Sequence, residues 1–142
     1  MGRAFATLAG IACVAGGCGG GGPTEGPALV FSGPPALSVA SVSGALTVAV
    51  RFSPESPVVG LDAAELTIAD SKAAPAVGLT VIVVPWMPAH GHGTSTMPAV
   101  SETSPGVYVA TPLSLFMPGQ WELRTTLSGP IDDTVAPSLV VE

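Results

Sequence analysis

His90 and His92 are the only histidines in this 142-residue chain, and one glycine separates them in Pro85-Trp86-Met87-Pro88-Ala89-His90-Gly91-His92-Gly93. On extended backbone, residues i and i+2 point the same way with Cα atoms about 6–7 Å apart, so two such imidazoles can converge on one ion. Imidazole suits zinc, copper, iron and nickel, whereas thioether sulfur selects copper(I). Met87 and Met97 flank the pair, and Met117 lies in a turn expected at the same end of the protein. Two histidines joined by methionine would hold copper(I). Two histidines completed by a carboxylate such as Glu102 would hold zinc or copper(II). Gly91 and Gly93 would let the backbone bend around the ion. A structural role stands beside each assignment: Met87 and Met117 as packing, the glycines as turn residues, and Trp86 as a plug at one end of the core. The other use of Trp86 is a cation–π contact to a bound ion.

Little else in the chain carries chemistry. There is no HExxH helix, no phosphate-cradling glycine loop, and no acid placed to complete a serine–histidine pair. The chain is therefore expected not to be an enzyme. Four basic residues against ten acidic ones give a formal charge of −6. That balance disfavours nucleic acid and anionic lipid as partners, because both demand basic surface.

Residues 1–18 read as an export signal, with Arg3 followed by a short apolar stretch from Ala4 to Ala15. The stretch is too short to span a bilayer. Ala15-Gly16-Gly17-Cys18 has the layout of a bacterial lipobox, with Ala in a place usually held by Leu and Cys18 as the lipidated residue. Export without lipid is the other reading. Residues 19–36, opening on Gly19 to Gly22, read as a flexible Gly/Pro tether. Removal of the signal takes Cys13 and Arg3 with it. The remainder has no free thiol and carries Arg51, Lys72 and Arg124 against ten acids, a formal charge of −7. Any metal site must then use His, Met, carboxylate or backbone groups. The expected location is the bacterial cell envelope, on a membrane facing the periplasm or exterior.

Residues 37–142 must position the histidines, and they read as one all-β domain. Leu46 to Phe52 alternates with Leu46, Val48, Val50 and Phe52 on one face. Glu65 to Asp70 alternates on Leu66 and Ile68, with at most a short helical turn beginning at Asp62. Val77 to Val84 is nearly all apolar, as a central sandwich strand covered on both faces would be. Gly106 to Thr111, Trp121 to Leu127, Ser138 to Glu142 and Leu37 to Val42 complete the set. Prolines fall between these runs, as expected of residues that cannot donate to a ladder. About seven short strands predict an immunoglobulin-like β-sandwich, with an open barrel as the alternative.

Trp86-Met87-Pro88-Ala89-His90-Gly91-His92-Gly93, Gly106-Val107-Tyr108 and Phe116-Met117-Pro118-Gly119-Gln120-Trp121-Glu122-Leu123 together resemble the YtkA-like domain family over roughly residues 38–142. The resemblance implies a small exported or lipid-anchored bacterial domain with an immunoglobulin-like sandwich. It also implies an association with copper handling and efflux components. It directs attention to Met87, His90, His92 and Met117, with Tyr108 and Trp121 as structural positions. Ala89 departs from the Met that family members often carry, which removes one soft ligand. Two functions are expected of such a chain. One is a membrane-tethered metal-binding module, with copper first and zinc second. The other is a protein-interaction domain of a cell-envelope complex, in which the histidine loop is structural.

Overall fold

A computed structural model describes residues 28–142. The signal at 1–18, Cys18 and the tether up to residue 27 lie outside the described residues. Residues 28–36 carry no strand and run beside the second strand. They are joined to it by Ala36 N–H to the Val50 carbonyl at 2.8 Å and by Arg51 Nε–H to the Gly33 carbonyl at 2.9 Å.

Among the described residues, ten strands form two antiparallel sheets: β1 Leu37–Ala40, β2 Leu46–Ser53, β3 Gly60–Asp70, β4 Thr80–Met87, β5 His92–Gly93, β6 Ala99–Ser104, β7 Val107–Leu115, β8 Gly119–Ser128, β9 Asp133–Val135 and β10 Ser138–Val141. One sheet runs β1-β2-β3-β7-β6. The other runs β10-β8-β4-β5, with β9 also paired to β8. The sandwich expectation holds, with ten strands in place of about seven. The inward rows include Val48, Val50 and Phe52 of β2, Leu66 and Ile68 of β3, and Tyr108, Leu113 and Leu115 of β7. The second sheet adds Val83 and Met87 of β4 and Trp121, Leu123 and Leu127 of β8. Each such side chain contributes about 1.5–3 kcal/mol of apolar burial. Tyr108 ties the layers through its hydroxyl, which donates to the Ala76 carbonyl at 2.8 Å and accepts Leu79 N–H at 3.0 Å.

Several local expectations fail, two of them because proline does not end these strands. β4 continues through Pro85 to Met87. The N and carbonyl of one strand residue point to the same side, and the Pro85 carbonyl accepts Thr94 N–H on the β5 side. The missing donor thus removes no bond to β8. β7 continues through Pro112 to Leu115. There Thr111 and Pro112 stand opposite Ala63 alone, a β-bulge that returns Leu113 and Leu115 to the core. Asp62 to Leu66 belongs to β3 and begins no helix. β4 is covered on one face only, since Ile82 is exposed on the other. The polar edge strand β6 gave no alternating signal, because its side chains are mostly exposed.

Candidate functional site at the histidine hairpin

β4 and β5 form a hairpin whose tip is Pro88-Ala89-His90-Gly91. Pro88 supplies the fixed φ that suits the first corner of a turn. His90 N–H donates to the Met87 carbonyl at 3.2 Å, and Gly91 N–H donates to it at 3.0 Å. Gly91 closes the turn at φ 67°, which a side chain would resist. His90 therefore sits in the turn and His92 on β5, so the two do not share extended backbone as expected. Their rings converge nonetheless, with centroids 5.6 Å apart and planes tilted by 53°. Gly93 has a different role from bending. A Cβ there would stand 2.6 Å from the Pro85 oxygen and 3.2 Å from Trp86 Cε3, so its bareness allows β5 to close on β4.

Below the histidines the site runs into the core. His92 stacks on Phe116, with centroids 6.1 Å apart and planes 10° from parallel. Phe116 meets Trp121 edge to face at 5.5 Å. Trp121 is fully buried, and its Nε1–H donates to the Met117 carbonyl at 2.9 Å. The turn carrying Phe116 and Met117 thus lies at the histidine end, as expected. No sequence signal marked Phe116 as a support for His92; that contact exists only because the ends of β5 and β7 meet.

Met87 is directly opposite His92 in the β4–β5 ladder, so their Cβ atoms share a face at about 4.5–5.5 Å. Its side chain is buried, and its Cε lies 3.0 Å from where a Cβ on Gly119 would stand. Met117 is half-buried against the core, and Met97 is exposed. Glu102 is elsewhere. Its carboxylate accepts Gly106 N–H at 3.0 Å and Gly78 N–H at 3.1 Å, and these bonds hold its pKa below the ordinary value. Gly78 precedes β4 whereas the histidines follow it, a separation of about 20 Å or more along the strand. Glu102 therefore cannot complete the histidine pair. Trp86 does not plug the core either. It is half-buried, with the Arg124 guanidinium 4.4 Å from its ring centroid, and Arg124 Nε–H donates to Glu122 at 3.1 Å.

The spacing of the two rings is the one that an ion bound between them would need. With metal–nitrogen bonds of about 2.0–2.1 Å, two imidazoles on one ion have centroids about 5–6 Å apart, which matches the pair. His92 Nδ1 lies 3.3 Å from the Gly93 carbonyl; a hydrogen on Nδ1 makes that bond and leaves Nε2 as the ligating atom. Among the described residues no third His, Cys, Asp or Glu joins the pair. Further coordination would fall to sulfur, water or an incoming group.

A family model described as YtkA-like matches residues 41–126, which include the whole hairpin and the Phe116–Trp121 turn. No match was found among curated proteins or among solved structures.

Proposed function

The chain belongs to the YtkA-like family, and from that premise we propose that it is a metal-binding module that handles copper at the histidine hairpin. The observation that carries this reading is the convergence of two exposed imidazoles, 5.6 Å apart, one of them on His92, the ladder partner of Met87. Copper(I) accepts nitrogen and thioether sulfur together, whereas zinc commonly takes a third hard or thiolate ligand. Met87 is the first sulfur candidate and Met117 the second. Met87 would have to turn outward, since its side chain packs in the core. An open two-imidazole site suits binding and release better than permanent storage. In this reading the chain is not an enzyme, is exported, is tethered to a membrane through Cys18, and passes its ion to a cell-envelope protein.

The test is titration of the full-length chain with copper(I), copper(II) and zinc, comparing the wild type with His90→Ala plus His92→Ala. Copper affinity is expected to fall by at least about a hundredfold when both imidazoles go, equivalent to about 2.7 kcal/mol. Unchanged copper affinity in the double variant would sink the proposal.

A further inference from the structure

A second feature lies away from the histidines, where the ends of β2 and β3 meet the bulge of β7. There a cavity of about 760 Å³ opens between Leu29, Val30, Ser53, Leu61, Asp62 and Pro112. Its volume lies within the range of small-molecule sites. The Leu29–Val30 wall is pinned through Val30 N–H to Ser53 Oγ at 3.2 Å.

Asp62 is the unusual member of this lining. It is only 3% exposed. Its Oδ1 accepts a long hydrogen bond from Val58 N–H at 3.4 Å, and its Oδ2 has no partner among the described residues. Burial pushes the carboxyl above its ordinary pKa, and the Val58 N–H opposes this only in part. An acid left so is costly to the fold, and a donor brought by a ligand would satisfy it. We infer that this cavity binds a small organic cation, an ammonium or guanidinium group on an apolar body, with the charged head paired to Asp62.

The walls favour this class over its rivals. Leu29, Val30, Leu61 and Pro112 offer hydrocarbon to the body of the ligand. Glu55 adds a second carboxylate to the lining, while no Lys or Arg among the described residues contributes to it. An anion therefore meets only like charge. A bare divalent ion such as calcium needs six or more oxygen ligands, which a largely hydrocarbon wall does not provide.

The experiment titrates the full-length chain with hexylammonium, hexylguanidinium, hexanol and calcium, read by amide NMR shifts at Ser53, Leu61 and Asp62. Both organic cations are expected to bind there, and hexanol about tenfold or more weakly, for want of the charge-assisted bond. Asp62→Asn is expected to reduce hexylammonium to the level of hexanol. Leu61 is 71% exposed, so Leu61→Lys is expected to leave folding intact. It places a tethered ammonium at the cavity mouth and is expected to block hexylammonium by a similar factor. The inference is overturned if hexanol binds as tightly as hexylammonium, or if both variants retain wild-type affinity. Calcium taken up in preference to the organic cations, or no response to any probe at millimolar concentration, also overturns it.

Discussion

Gly93→Ala is the sharpest test of how the histidine hairpin is held. The added Cβ would stand 2.6 Å from the Pro85 oxygen. A relaxed carbon–oxygen contact needs about 3.3 Å, so about 0.7 Å must be found. β4 will not supply it, because it is paired to β8 from Thr80 to Trp86. β5 has two residues and, among the described residues, pairs only with β4, so β5 moves. That movement stretches the bond from Thr94 N–H to the Pro85 carbonyl, already 3.4 Å. Losing it costs about 0.5–1.5 kcal/mol. Residual overpacking adds to this, while alanine returns about 0.4–1 kcal/mol by restricting the unfolded chain. The net loss of stability should be about 1 kcal/mol in urea unfolding. The loss in metal binding should be larger in proportion, because a binding site tolerates only about 0.5 Å of misplacement. Copper affinity is expected to fall about tenfold or more, as it does when a supporting contact is removed. Gly44→Ala is the control. Gly44 has φ 76° with nothing among the described residues within 4 Å of an added Cβ, so alanine there should cost about 1–2 kcal/mol and leave the hairpin undisturbed. Chelator competition on the two variants reads the difference. If Gly93→Ala binds copper as tightly as Gly44→Ala does, closure of β5 on β4 does not position His92.

Two further outcomes are expected. Met87→Leu keeps the volume of a buried side chain and should cost less than about 1.5 kcal/mol of stability. If Met87 ligates, it should weaken copper(I) binding while leaving copper(II) binding near wild type; equal effects on both would assign Met87 to packing alone. Asp133 is held at a pKa of about 2 by the nearby Ser41 and Ser43 hydroxyls, and Ser43 donates to its carboxylate through both its hydroxyl and its N–H, joining the β1–β2 turn to β9. Because the folded value lies below the unfolded one, its contribution to stability is present above about pH 4 and is lost as pH falls towards about 2. Asp133→Asn should remove that part of the acid dependence, measured as unfolding midpoint against pH; an unaltered profile would count against the bonds from the two serines.

Much of the fold was legible because strands buried on one face announce themselves by alternation. Leu46, Val48, Val50 and Phe52 read as one face and are all buried. Trp121, Leu123 and Thr125 do the same on β8. Prolines misled, since Pro85 and Pro112 look like strand ends. Whether a proline breaks a ladder depends on which neighbour its nitrogen faces, and that is a property of the sheet. Asp62 was equally opaque. Its neighbours suggested the start of a helix, and only the bulge opposite Ala63 and the packing of β2 and β7 bury it.

By itself the sequence determined the class of the protein, its inward-facing residues and the segment in which metal chemistry could reside. Those depend on residue type and short-range spacing, which any chain displays. The tertiary structure decided which groups meet. It placed the β7–β8 turn beneath β5, so that His92 rests on Phe116 and Phe116 on Trp121. It also paired Met87 with His92 across β4 and β5 and carried Glu102 to the far end of β4. Contacts of that kind join residues far apart in the chain, and their distances follow from strand pairing and core packing rather than from local pattern.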